Sequence, residues 1–179
     1  MNCLKSFCLA VAAIFLAGCM PRYAATSSPS GPANITFTRG ALHLGAKSLQ
    51  EFEGYKDHTC APAQGGGRLV SLLTYMGTEK RAAVSPRERL YLLAKTSGFS
   101  TGPISISTSP TGGKIGSFAL IRDICANLVS FTPQAGAAYH VSQEQSGSGC
   151  DMSVIDASTG LAPQDLVVES PQTCAAHFR

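Results

Sequence analysis

Phe131-Thr132-Pro133-Gln134-Ala135-Gly136-Ala137-Ala138-Tyr139-His140-Val141 reads as a strand, a tight turn and a second strand. Pro133 and Gly136 supply turn chemistry between two β-favouring runs, and the alternation of Tyr139 and Val141 with His140 puts the apolar pair on one face. Phe131, Tyr139 and Val141 are therefore expected in a core, and the hairpin that follows closes on Cys150. Similar runs occur at Asn34 to Thr38, Arg68 to Met76, Arg89 to Thr96, Ile104 to Thr108, Ser117 to Ile121, Leu128 to Thr132, Ala138 to Gln143 and Cys150 to Asp156, with another strand at Asp165 to Glu169. Gly, Pro and Ser clusters separate nearly all of them, among them Gly65-Gly66-Gly67, Ser85-Pro86 and Gly147-Ser148-Gly149. Short strands with this punctuation predict an all-β fold, a single antiparallel β-sandwich or small barrel. One exception is expected. Leu49, Phe52 and Tyr55 recur every three residues after a capping Ser48, which predicts a short helix over Ala46 to Tyr55.

Composition agrees with a loop-rich globule: 44% hydrophobic and 14% charged residues, with 18 glycines and 10 prolines, exclude a disordered chain. The formal charge of +3 is scattered in both signs, so nucleic acid is not an expected partner. The densest basic stretch, Lys80, Arg81, Arg87 and Arg89, has no interleaved aromatic residues and reads as a solvated edge or loop, with an anionic-lipid contact as the alternative.

The first residues have a different logic. Lys5 is followed by an apolar run, Cys8 to Phe15, that is far shorter than the ~20 residues a bilayer span requires. Leu16-Ala17-Gly18-Cys19 comes directly after it, as expected of a secretion signal. These four residues resemble the lipobox of bacterial lipoproteins at every position. The resemblance implies cleavage between Gly18 and Cys19, a diacylglycerol on the Cys19 thiol and an acylated new amine. Several acyl chains at ~0.8 kcal/mol per buried methylene make a durable membrane anchor. Met20 stands where an Asp would imply inner-membrane retention, so the class implies an outer-membrane protein facing the periplasm. Residues 1–18 are then signal, 19–33 a lipidated tether poor in core-forming residues, and 34–179 a single β-rich domain.

Loss of Cys3 and Cys8 with the signal and of Cys19 to lipid leaves Cys60, Cys125, Cys150 and Cys174. An oxidising compartment predicts two disulfides. Cys125 with Cys150 is the preferred pair, because one hairpin separates them, and Cys60 with Cys174 follows by elimination. The alternative is a metal site built from His58, Cys60, Cys174 and His177, a donor set that zinc accepts.

Catalytic signatures are hard to find. Thr111-Gly112-Gly113-Lys114-Ile115-Gly116-Ser117 lacks the glycine spacing of a phosphate loop, and Gln145-Ser146-Gly147-Ser148-Gly149 is not a nucleophile elbow. His43, His58, His140 and His177 stand alone, and Glu51 and Glu53, two apart on the expected helix, would point to different faces. Asp151, Asp156 and Asp165 lack the density of a calcium loop. No catalytic residue and no cofactor is expected. A second resemblance lies in Phe131-x-Pro133-x-x-Gly136-x-x-Tyr139 followed by Cys150, which is similar to small β-sandwich lipoproteins of Gram-negative envelopes. Some of those are periplasmic immunity proteins against type VI secreted lipase effectors. The expected function is a non-enzymatic, membrane-anchored protein-binding module with a periplasmic protein partner, an immunity protein in one version. The alternatives are an accessory or structural subunit of an envelope or secretion assembly, and a metal-binding or enzymatic periplasmic protein.

Overall fold

A computed structural model describes residues 21–26, 28–40, 48–73, 77–101, 105–108, 114–117, 120–146 and 149–178. Within them the chain is a β-sandwich. Strands β1 (Ala33–Arg39), β4 (Glu79–Val84), β9 (Ala138–Ser146) and β10 (Gly149–Asp156) form one sheet in the order β10-β9-β1-β4. Strands β2 (Ser48–Tyr55), β3 (Gly67–Leu73), β5 (Leu90–Thr101), β8 (Leu120–Phe131) and β11 (Val167–Glu169) form the other, in the order β11-β8-β5-β2-β3. A separate hairpin, β6 (Ser105–Thr108) and β7 (Lys114–Ser117), lies between β5 and β8 in sequence. Neighbouring strands are antiparallel except β1 and β9, which run parallel.

Period-two alternation builds the interior. Leu90, Leu92, Ala94 and Thr96 of β5 face inward, as do Ala33, Ile35 and Phe37 of β1 and Tyr139, Val141 and Gln143 of β9. Phe37 packs on Phe52 with ring centroids 4.8 Å apart, and Phe131 meets Tyr139 edge-on at 5.1 Å, so the three residues expected in the core are there. One end of the layer is polar. Gln50 Nε2 donates to the Gln143 carbonyl at 2.8 Å, and Thr96 Oγ1 donates to Gln143 Oε1 at 2.7 Å, all three side chains being buried.

The opening stretch turns out to be a corner. Phe131 ends β8 and Ala138 begins β9, but the two strands belong to different sheets and do not pair, so Pro133 to Gly136 carries the chain from one layer to the other. The following hairpin, β9 with β10, is antiparallel and closes with Ser146 opposite Gly149.

Of the helix expected over Ala46 to Tyr55, the described part, Ser48–Tyr55, is a strand. β2 is central in its sheet, and its outer face is also covered: Tyr55, Leu93, Leu128, Cys60 and Cys174 make a second cluster beneath the 3-10 segment Pro171–Phe178. Burial on both faces erases the alternation that would have marked a strand. A strand also changes Glu51 and Glu53, which share the outer face instead of diverging. Each has its own partners. Arg68 Nη1 lies 3.8 Å from Glu51, whereas the fully buried Glu53 has Lys95 Nζ at 2.5 Å and accepts a 2.7 Å hydrogen bond from the Tyr55 hydroxyl.

Both expected disulfides are present. Cys60–Cys174 pins the loop after β2 to the C-terminal segment across 114 positions, and Cys125–Cys150 joins β8 to β10 across the two sheets. The metal alternative thereby loses its two thiolates, and no group of three or more His, Cys, Asp or Glu among the described residues is arranged to hold an ion. The tether expected over 19–33 also needs revision. Pro21 O accepts from Arg68 N at 3.0 Å and Tyr23 N donates to Arg68 O at 3.1 Å, so Pro21 to Tyr23 runs as an added strand fragment on β3. The Tyr23 hydroxyl donates to Ser85 Oγ at 3.2 Å, and its ring packs against the main core.

Candidate functional site

The two sheets differ in width, and that difference exposes an edge. The four-stranded sheet ends at β10, which the Cys125–Cys150 bond and a 3.0 Å hydrogen bond from Asn127 Nδ2 to the Cys150 carbonyl hold over β8. The five-stranded sheet continues one strand further, to β11. Val168 pairs with the buried Val129 and points to the same side, toward the layer that no longer covers it. Val168 is consequently 81% exposed; Val167, opposite Ser130, faces the other side of the strand and is 44% exposed, and Leu161, in the preceding loop, is 68% exposed. These are the exposed large hydrophobic residues among the described residues, and they fall within eight positions of one another.

Polar groups hold this apolar segment in place. Asp156 Oδ1 accepts from Ser158 N at 2.8 Å and Ser158 Oγ at 2.6 Å, and the Asp156 N–H donates to Leu161 O at 2.8 Å, which folds the loop back on itself. The Ser158 hydroxyl, with the Ser158 and Thr159 backbone N–H groups, holds the Asp156 carboxyl below the usual carboxylate range. Further on, Asp165 Oδ2 accepts from Thr132 N at 2.9 Å and lies 3.6 Å from Arg89 Nη1. Arg89 also donates twice to Ser130 Oγ, at 3.1 and 2.9 Å, and that hydroxyl donates to Glu169 Oε1 at 2.7 Å. Arg89 is thus a brace that ties β5, β8 and β11 together, not a free member of the basic stretch. A cleft of about 500 Å³ opens between this loop and the Thr132–Tyr139 corner, lined by Thr132, Gln134, Leu161 and Pro163. Its walls offer hydrogen-bonding groups and an apolar lip.

The residues singled out from sequence are dispersed. His140 is exposed on β9, and His58 sits 6.4 Å from the Tyr91 ring beside the Cys60 loop. Gly18, Cys19 and His43 lie outside the described residues, as do the Gly112-Gly113 tip and the side chain of His177. Asp151 is exposed on β10, and Asp156 and Asp165 are the loop supports just described. Leu161, Val167 and Val168 were not among the candidate residues; the exposure of Val168 comes from the unequal widths of two sheets, which leaves no trace in local pattern. Compared with protein-family models and with curated proteins, the chain matches none.

Proposed function

We propose that this chain is a lipid-anchored protein of the bacterial envelope whose sandwich is a non-enzymatic module for binding another protein. The observation that carries the binding role is the concentration of Leu161, Val167 and Val168 at one edge. Apolar side chains on both faces of a braced, short edge strand are what a partner's strand or loop would cover. The lipobox Leu16-Ala17-Gly18-Cys19 supports the anchor, and the two disulfides fit an oxidising compartment. An immunity protein that covers the site of a secreted effector is the version favoured by the Phe131 to Tyr139 element.

A photo-crosslinking side chain placed at residue 161 or 168, with the anchor retained, is expected to give one discrete adduct in cells. The same group at Ala138, exposed on β9, is expected to give none, and Leu161→Glu is expected to abolish the adduct made from position 168. Equal labelling from Ala138, or no adduct from either edge position, refutes the binding edge. Incorporation of labelled palmitate, lost in Cys19→Ala, tests the anchor separately.

A further inference from the structure

On the side of the molecule opposite β11, the edge strands β3 and β4 of the two sheets come together, and Arg22, Arg68, Lys80 and Arg81 line the groove between them. These four come from three separate segments, so their grouping is a product of the fold. Glu51, 3.8 Å from Arg68, and Glu79, 3.4 Å from Arg81, offset the cluster in part, and positive charge remains in excess. The Arg81 side chain is 77% exposed and the Arg68 side chain 40%.

The position of this groove along the chain gives it meaning. Pro21 to Tyr23 is bonded to β3, and the fit depends on Gly67, where a Cβ would stand 2.1 Å from the Pro21 carbonyl oxygen. Cys19 precedes Pro21 by two residues, so its Cα lies at most about 7 Å from that of Pro21. A lipid on Cys19 would hold the basic groove close to the headgroups. We infer that the β3–β4 groove is a headgroup-contact surface that lays this edge of the sandwich on an anionic phospholipid leaflet, with Arg22, Arg68, Lys80 and Arg81 facing the phosphates. This rests on the lipid-anchored reading for its geometry. The affinity of the groove itself is measurable without the anchor.

The test uses the chain from residue 19 onward with Cys19→Ser, which keeps the whole described fold and both disulfides. Cosedimentation at low salt with phosphatidylglycerol/phosphatidylethanolamine vesicles is compared with phosphatidylcholine/phosphatidylethanolamine vesicles. Binding is expected to the anionic vesicles only and to weaken as salt rises. Lys80→Gln with Arg81→Gln is expected to lower the partition coefficient about 25-fold, at roughly fivefold per charge near an anionic surface. Arg87→Gln, an exposed cation outside the groove, is expected to change it less than twofold. Equal binding to both vesicle types, no binding to either, or an Arg87→Gln loss as large as that of the double variant overturns the assignment. So does a double variant that binds normally but self-associates, since the charges would then serve only to keep exposed edge strands from pairing. Failure of palmitate labelling in the full chain would remove the anchor and leave the vesicle result standing, so the two failures are distinguishable.

Discussion

Glu53 shows what one buried charge demands of its surroundings. The carboxylate is fully buried on the outer face of β2, and Lys95 and Tyr55 both approach it. Removing the cation alone, as in Lys95→Met, leaves a buried negative charge uncompensated and is expected to cost about 3 to 5 kcal/mol in denaturant unfolding. Glu53→Leu combined with Lys95→Met removes the charge with its partner and is expected to recover most of that loss. Tyr55 carries the same environment into alkali. Burial, the hydrogen bond to Glu53 and the nearby Glu53 and Glu51 charges push its hydroxyl well above the ordinary value of 10.0. The folded chain therefore keeps the proton after the unfolded chain has released it. Stability is fully present below pH 10 and falls above it, by about 1.4 kcal/mol per pH unit from this group. Tyr55→Phe is expected to be less stable at neutral pH but to show a shallower alkaline loss, checked by urea midpoints measured from pH 9 upward.

Single elements show where the amino-acid order is informative and where it is not. β9 buries Tyr139, Val141 and Gln143 and exposes Ala138, His140 and Glu144, so its alternation was readable, and so were the turn residues around it. β2 buries both faces, and the three-residue spacing of Leu49, Phe52 and Tyr55 mimicked a helix. β4 was hidden for the opposite reason. Lys80 and Arg81 made it read as a solvated edge or loop and not as a strand run, and it is an edge strand, where charge discourages pairing with strangers. The pairing of cysteines was legible from their count and from the single hairpin between Cys125 and Cys150, whereas the exposure of Val168 depended on the width of a facing sheet. The N-terminal fragment on β3 makes a sharp prediction of its own. Gly67→Ala puts a methyl group into the Pro21 carbonyl and is expected to expel residues 21–26, read as faster hydrogen exchange and new proteolytic nicking there while β5 and β8 stay protected. Unchanged exchange over 21–26 would show that the fragment tolerates the methyl group and that its docking does not depend on glycine.

At the scale of the molecule, two covalent bonds and two edges divide the labour. Cys60–Cys174 closes a loop of 114 positions and Cys125–Cys150 one of 25, so the chain-entropy model ranks the first as the stronger staple, at about 4 to 5 kcal/mol against about 3.5. Cys60→Ser with Cys174→Ser is expected to lower the urea midpoint more than Cys125→Ser with Cys150→Ser. The reverse order would mean that joining the two sheets matters more than restricting the unfolded chain. The protein with both bonds is expected to weigh four hydrogens less than its reduced form by mass spectrometry.

The added strand fragment at Pro21 to Tyr23 also sets how far this protein can reach. A loose linker running from residue 19 to 33 would let the sandwich roam over an r.m.s. distance of about 20 Å. Docking Pro21 on β3 withdraws that freedom, and the distance from anchor to binding edge becomes the breadth of a sheet with its added fragment: five strand spacings from the fragment to β11, or about 24 Å. On the anchored reading the module is a fixed-height post instead of a line cast into the compartment. Its partner must come within a few nanometres of the membrane to be caught, and lengthening the chain between Cys19 and Pro21 should widen that capture radius without altering the binding edge.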